Sequence, residues 1–355
     1  MSAHNLPPEI IESILRVLPA KSLGRFKSVS KPWCSLISTP KFIKSHLVHQ
    51  NHNTTKLILL ISDSNSLYSL DINSHNLSAT AKQLNFGPNT IEFEEILGSC
   101  NGIVLAKDKD DTILLINPTT KEIFRILVSP FALPVRESFV MYGFGHNSSN
   151  DDYVVISISF WDTDNEYNPD CTDMYVSMYS LRNGLWRRLD CSPYDHAVGH
   201  LVSGVLVNEK LHWLTSVPRR GYSSIIAAFS LESEEFEEIE LPDMVDKNKG
   251  VFNELVDLGG KLCMFGSQES NDFWVMEEYG VGESWRKIYI HGVEIDPVKP
   301  VCGKNGDIVF GDEDGVLVYD IDEKRCSNVR IEGGPNGFVV GGSYFESLES
   351  LKRRL

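Results

Sequence analysis

The residue types that carry chemistry do not fall into the spacing of a catalytic motif in this 355-residue chain. The sequence contains no G-x-S-x-G, no H-E-x-x-H and no P-loop motif. Residues 142–146, Tyr-Gly-Phe-Gly-His, supply two glycines of a dinucleotide-binding fingerprint but lack the third. They lie among predicted strands, so we interpret them as a turn of a β-blade. We therefore expect no catalytic residues and a chain that is not an enzyme.

Metal-binding patterns are equally weak. His46, His49 and His52 lie three residues apart and could share a helix face, but no acidic or cysteine ligand lies beside them. We favour a solvated helix end. Asp312-Glu313-Asp314 lacks the alternating ligands of a calcium loop, which favours a hairpin turn. Seven scattered cysteines without a C-x-x-C pair indicate reduced thiols. We expect no metal and no cofactor.

The charge of the chain restricts its partners. Lys and Arg number 33 and Asp and Glu 49, a net charge of -16, which argues against nucleic acid and against an anionic membrane surface. A basic protein target remains compatible, through the acidic stretches at 93–95, 232–240 and Asp243/Asp246, although solvated turns are the commoner meaning of such runs. No apolar run approaches a membrane span and the N-terminus lacks a signal pattern, so we expect a cytoplasmic or nuclear protein.

Residues 1–50 have the pattern of a small helical module. Pro7 and Pro8 suit a first helical turn, and apolar residues follow at helical spacing up to Pro19. Ser30 and Thr39 each precede a proline and predict the starts of two further helices. This segment holds seven basic and two acidic residues, so the remainder carries -21. We take residues 51–54 as a linker.

Residues 55–355 have the pattern of an all-β domain. Seven short β-rich runs alternate with turns, at 56–61, 112–116, 153–158, 174–181, 225–231, 273–279 and 315–321. An apolar residue that ends a strand is followed by another across a polar turn in the pairs Leu70/Leu77, Ile116/Ile123, Tyr179/Trp186, Phe229/Phe236, Tyr279/Trp285 and Tyr319/Cys326. The first members recur at intervals near 50 residues, which is typical of kelch-like propeller blades. The fold class is thus mixed: a helical module, then a propeller of about six blades.

The residues also carry a family resemblance. Segment 6–47, with Leu-Pro-Pro-Glu-Ile at 6–10, Leu-Pro-Ala-Lys-Ser-Leu at 18–23 and Phe-Lys-Ser-Val-Ser-Lys-Pro-Trp at 26–33, resembles an F-box. The rest is similar to the plant F-box-associated interaction domain. Segments that carry this likeness are 100–103, 117–121, 142–146, 176–181, 211–213, 236–239, 274–285 and 344–348. Plant S-locus F-box proteins and receptors that control immune-receptor turnover look similar throughout.

This resemblance implies a substrate receptor of an SCF-type cullin–RING ubiquitin ligase, with a Skp-type adaptor on the F-box and through it a cullin. By position, the residues that match the adaptor-binding motif are Leu6, Pro7, Ile10, Ile14, Leu18, Pro19, Leu23, Phe26, Val29, Lys31, Trp33 and Leu36. A helical module of this size is too small to bury its own apolar face, which also favours a partner. The alternative is that residues such as Ile10 and Trp33 are internal core only.

The target itself is not encoded in a recognisable motif. Loops of a propeller vary while its blades keep their shape, so the long insertion Trp161–Thr172 is our candidate recognition loop, although it could equally be a connector. Its candidate substrate-binding residues are Trp161, Asp162, Asp164, Glu166 and Tyr167. Two other functions stay open: a kelch-like propeller enzyme, and a scaffold without degradative activity.

Overall fold

The structure is a computed structural model of the full chain. It describes residues 6–53, 57–63, 66–73, 77–87, 91–133, 138–161, 174–196, 203–216, 224–242, 252–266, 272–290, 299–304, 307–311, 315–335 and 337–352. Among these residues, no helix is long and apolar enough to cross a membrane.

Four helices form the N-terminal module. They are α1 (Pro8–Arg16), α2 (Ala20–Phe26), α3 (Lys31–Ile37) and α4 (Pro40–Asn53). The predicted caps are present, because Ser30 Oγ accepts from the Trp33 amide at 3.3 Å and Thr39 Oγ1 accepts from the Phe42 amide at 3.2 Å. The linker prediction at 51–54 was wrong in part: α4 continues through Asn53, and residue 54 lies outside the described residues.

The rest of the chain is a six-bladed β-propeller, as the blade-like repeats predicted. Blades 2 to 6 each have four antiparallel strands, and blade 1 has five strands, because two C-terminal strands join it. The strands are β1 (Leu57–Ser62), β2 (Leu67–Asn73) and β3 (Ser78–Gln83) in blade 1; β4 (Phe93–Cys100), β5 (Ile103–Asp108), β6 (Ile113–Asn117) and β7 (Glu122–Ile126) in blade 2; β8 (Ser138–Asn147), β9 (Asp152–Trp161), β10 (Met174–Ser180) and β11 (Leu185–Arg188) in blade 3; β12 (Val205–Val207), β13 (Lys210–Ser216), β14 (Ser224–Ser230) and β15 (Phe236–Ile239) in blade 4; β16 (Phe252–Leu258), β17 (Lys261–Gly266), β18 (Asp272–Met276) and β19 (Trp285–Tyr289) in blade 5; and β20 (Lys299–Lys304), β21 (Asp307–Gly311), β22 (Val316–Asp320) and β23 (Arg325–Asn328) in blade 6.

Two C-terminal strands close the ring. Strand β25 (Val339–Tyr344) pairs with β1 and becomes the innermost strand of blade 1, while β24 (Arg330–Glu332) pairs in parallel with β3 at the outer edge. Blade 1 is therefore built from both ends of the domain. This arrangement joins the segment that follows blade 6 to the strands that begin the ring.

The hairpin pairs predicted from the sequence are correct in four blades. Cross-strand partners include Ile116 with Ile123, Tyr179 with Trp186, Phe229 with Phe236 and Tyr319 with Cys326. The members of the other two pairs, Leu70/Leu77 and Tyr279/Trp285, also share a hydrophobic cluster, as predicted for hairpin core, but they are not direct cross-strand partners. Leu70 lies opposite Ala81, and Trp285 lies opposite Met276, because the turns in these two hairpins begin at different points of the chain.

The inner strands approach one another so closely that they require glycine. A Cβ on Gly143 or Gly204 would lie 2.8 Å or 2.5 Å from the Trp213 ring. The Gly204 amide donates to the Tyr142 carbonyl at 2.6 Å, and Gly143 and Gly204 form a parallel bridge between blades. Residues 142–146 thus lie inside β8, and the prediction that they form a turn was wrong. Their glycines serve close blade packing rather than a nucleotide.

The propeller has two different faces. The face that we call proximal carries the turns between first and second strands, of two to four residues, and those between third and fourth strands. Lys44 of α4 forms an ion pair at 2.9 Å with Asp151, in the first turn of blade 3, so the helical module lies on this face. The opposite, distal face carries the longer connections between blades, which run from 9 residues (84–92) to 16 residues (189–204).

Candidate functional site

The helical module packs a compact core of its own. Its buried members are Leu15, Ala20, Leu23, Ile37, Phe42 and Ile43, and Leu348 from the C-terminal segment joins them. The Phe26 and Trp33 rings meet edge-on with centroids 5.5 Å apart, which ties α2 to α3. The short helices are therefore held by tertiary packing rather than by their own propensity.

An apolar stripe remains outside this core. Leu6, Ile10, Ile14 and Val17 follow one another at helical spacing along the α1 segment, and Val29, after α2, is also exposed; the exposed fractions of these five residues lie between 47% and 63%. Ile10 and Ile14 are four residues apart on α1 and therefore occupy the same helix face. Large aliphatic residues grouped in this way are typical of a surface that another protein covers. We call these five residues the α1 stripe.

The structure divides the predicted adaptor-binding residues into three groups. Seven are exposed: Leu6, Pro7, Ile10, Ile14, Pro19, Val29 and Lys31. Four are partly buried and pack against the module core: Leu18, Phe26, Trp33 and Leu36. Leu23 is fully buried and belongs to the core, so it has no surface to offer a partner. Sequence reasoning missed Val17, whose spacing of three residues from Ile14 extends the α1 face.

His46 is buried, so the prediction of a solvated helix end was wrong for this residue. Its Nε2 lies 2.8 Å from the carbonyl oxygen of Leu18, and the ring stacks on Phe42. Burial lowers the pKa of His46, so the ring is neutral at neutral pH. Among the described residues no group of His, Cys, Asp or Glu side chains is arranged to hold a metal ion, and the side chain of His52 lies outside them.

The candidate recognition loop joins two strands at the distal face. Trp161 is half-buried and ends β9, and β10 resumes at Met174. The other predicted substrate-binding residues, Asp162, Asp164, Glu166 and Tyr167, lie outside the described residues.

A second distal feature was not found from the sequence. Leu127, Val128 and Phe131, in the connection between blades 2 and 3, are exposed, and Leu127 is 83% exposed. The segment is held against blade 3, because Trp186 Nε1 donates to the Leu127 carbonyl at 2.8 Å and the Leu133 amide donates to Ser159 Oγ at 3.2 Å. We call Leu127, Val128 and Phe131 the distal shelf. Its only sequence signal is an apolar run that continues past a strand end.

Acidic stretches of the propeller are partly neutralised within the chain. Lys107 lies 3.2 Å from Glu94 and 3.8 Å from Glu95, while Glu234 pairs with Arg187 and Glu237 with Lys210. These contacts agree with the interpretation of the runs as solvated strand faces and turns. Asp243 and Asp246 lie outside the described residues.

A narrow cavity of about 230 Å³ follows the propeller axis. Its walls are inner strands, and its acidic lining residues are Glu254 and Asp257. The Asp257 carboxylate accepts from the Gly260 amide at 2.6 Å. The hydrogen bond closes the tight turn after β16, which is a structural use of this side chain.

One serine–histidine pair has the contact expected of a nucleophile and its base. Ser192 Oγ lies 2.9 Å from His196 Nε2. Burial lowers the pKa of His196 to about 3, so the ring is a poor proton acceptor for a serine hydroxyl at neutral pH. The Tyr194 amide already donates to the same Oγ at 3.2 Å. This geometry is that of a packed loop between blades 3 and 4.

Family comparison explains the two-part architecture. Residues 4–45 match the F-box domain, and residues 47–348 match the F-box associated beta propeller domain. The chain belongs to the plant-type F-box proteins with an F-box-associated propeller. The second match covers most of the chain, so family membership rests on both parts together.

Curated relatives agree along the full length. F-box protein CPR1 of Arabidopsis thaliana is 30% identical, over 94% of this chain and 86% of the relative. An F-box/kelch-repeat protein of the same plant is also 30% identical, over 96% of this chain and 93% of the relative. Among solved structures, the crystal structure of a nidogen/laminin complex aligns at a TM-score of 0.50 and 12% identity, covering 82% of this chain and 99% of that one. The last likeness concerns the propeller fold alone.

Proposed function

We propose that this F-box protein is the substrate-recognition subunit of an SCF-type cullin–RING ubiquitin ligase. The single observation that carries the proposal is the α1 stripe, an exposed aliphatic surface on the module that matches the F-box domain. In this account the stripe binds a Skp-type adaptor and through it a cullin. Catalysis takes place on other subunits, and this chain supplies proximity between target and ubiquitin.

Completion of burial is the physical reason for adaptor binding. Leu6, Ile10, Ile14, Val17 and Val29 leave about half of their surface in water, and covering that surface with helices of a partner releases hydrophobic free energy. Phe26 of α2 and Trp33 of α3 are partly buried and pack against the module core, so part of each ring stays accessible. Aromatic residues at such positions commonly dominate the energy of an interface.

We infer that the target is bound on the distal face. The helical module occupies the proximal face, and the longer connections lie on the other side of the ring. The distal shelf offers apolar contact there, and the acidic propeller favours a target with basic groups by long-range attraction. The expected compartment is the cytoplasm or the nucleus, and the expected outcome for the target is ubiquitination and degradation.

Two experiments test these assignments separately. Pull-down with a Skp-type adaptor should succeed for the wild-type chain and fail for Leu6→Ala combined with Pro7→Ala, or for Trp33→Ala. Target capture, identified by affinity purification and mass spectrometry, should fail for Leu127→Ser combined with Phe131→Ser while adaptor binding is kept. Full adaptor affinity in the F-box variants would count against the assigned surface. Ubiquitination of a co-expressed target separates a ligase subunit from a non-degradative scaffold.

A further inference from the structure

The last eight described residues link the F-box to the propeller. Residues 345–352 leave β25 on the proximal face and run between the helical module and blade 2. Leu348 is only 4% exposed and completes the module core beside Leu15, Leu23 and Phe42. We call residues 345–352 the tail brace. It brings the two ends of the chain together across about 300 residues of sequence.

Blade 2 holds the brace by buried polar contacts. Asn117 Nδ2 donates to the carbonyl oxygens of Ser347 at 3.3 Å and of Glu349 at 2.7 Å. Glu122 accepts from the Ser350 hydroxyl at 3.0 Å and from the Leu351 amide at 2.8 Å. Because Asn117 is fully buried and its amide is satisfied here, displacing the brace would leave a polar group without a partner.

The fit between brace and blade is also steric. Gly102 adopts a φ of +77°, and a Cβ at this position would lie 2.4 Å from the Cβ of Ser347. Leu351 is 1% exposed and packs into the core between blades 2 and 3. The brace therefore fits a complementary surface of the propeller, and Leu348 points away from that surface into the core of the F-box.

Two ion pairs span the same junction. Lys21 of α2 lies 2.6 Å from Glu346 in the brace, and Lys44 of α4 lies 2.9 Å from Asp151 of blade 3. The F-box is thus attached to the ring at the α4–β1 connection, through the brace, and at the first turn of blade 3. Attachment at several separated points fixes an orientation, whereas a single chain connection would allow rotation.

We propose that the tail brace, through Leu348, sets the orientation of the α1 stripe relative to the distal face. This inference rests on the proposed function. In that function the orientation matters because a bound target must reach the ubiquitin carrier. Leu348, Asn117 and Glu122 are positioning residues in this account, since they act through the F-box and touch neither partner. Loss of the brace contact lowers the rate of ubiquitin transfer while the chain still binds at each end.

Leu348→Ala is the direct perturbation. Removing a buried leucine side chain from a core shifts the docking equilibrium about thirtyfold or more toward the undocked state. Leu348→Met conserves volume and should restore docking. Leu185→Ala is the matched control, because that leucine is 69% exposed on the edge strand of blade 3.

The Lys44–Asp151 pair reports the orientation independently of the brace. Zero-length carbodiimide cross-linking of the full chain, followed by mass spectrometry, should join these two residues in the wild type. The yield should fall in Leu348→Ala, because the docking equilibrium shifts toward the undocked state, and should recover in Leu348→Met. Adaptor affinity should stay within about twofold, as for a substitution outside the interface, while the transfer rate to a co-purified target falls.

Each outcome decides the proposal. An unchanged cross-link yield in Leu348→Ala overturns it. A drop in adaptor affinity that matches the drop in transfer also overturns it, because Leu348 would then serve only the folding of the F-box. If the wild-type chain binds no adaptor, the proposed function fails, whereas the cross-link measurement still tests the brace.

Discussion

The α1 stripe predicts a measurable loss of adaptor affinity when it is trimmed. Ile10 and Ile14 are each 47% exposed in the free chain. Full burial of an isoleucine side chain releases about 1.5–3 kcal/mol, so covering the exposed half contributes about 0.7–1.5 kcal/mol per residue. The double variant Ile10→Ala/Ile14→Ala should therefore bind the adaptor about tenfold or more weakly.

Isothermal titration calorimetry with a purified Skp-type adaptor and the full chain measures this effect. Alanine is a better helix former than isoleucine, so α1 should be retained. Leu185→Ala, an exposed leucine on the propeller, controls for nonspecific loss of apolar surface. A dissociation constant within about twofold of wild type would refute the assignment of the stripe as the docking surface.

Three further predictions concern stability and target binding. Gly341→Ala places a Cβ 2.4 Å from Ile96 Cγ1 and should destabilise the protein by about 1–3 kcal/mol. Gly24→Ala in α2, with no atom within 4 Å of the added Cβ, should stabilise the protein by up to about 1 kcal/mol. Thermal melts of the two variants measure both effects. Burial lowers the pKa of His196 to about 3 and of His212 to about 4, so the unfolded chain binds more protons and stability should fall from pH 6.5 toward pH 4. Denaturant titrations should find a smaller dependence of stability on pH in His212→Gln, and an unchanged dependence would contradict the role given to His212. Finally, affinity for the captured target should weaken with added salt if basic groups are recognised, and salt-independent binding would exclude that attraction.

The repeat pattern was sufficient to predict the ring. Ile116/Ile123 and Phe229/Phe236 are true cross-strand neighbours, since hairpin registers are determined locally by turn length. Leu70/Leu77 and Tyr279/Trp285 share a hydrophobic cluster without being direct partners, because their turns differ in length or position. A ring of six blades requires a closing strand. The pairing of β25 with β1, however, joins distant parts of the chain and has no local signal in the sequence.

The site was only partly predictable. Helical spacing identifies the apolar residues of α1 but does not say which side is covered by other helices: Leu15 faces the core and Ile14 faces water. Coverage depends on tertiary contacts, among them Leu348, whose distance in sequence hides its role. The distal shelf was missed because an exposed apolar run looks the same in sequence as a buried strand end.

Formation of a complex between the full chain and a Skp-type adaptor tests the central claim most directly. Size-exclusion chromatography with light scattering of the 39.9 kDa chain mixed with the adaptor gives the mass of the species formed. The account predicts one peak with the summed mass of one chain and one adaptor. Two separate peaks at the masses of the free proteins, at micromolar concentration, would contradict it.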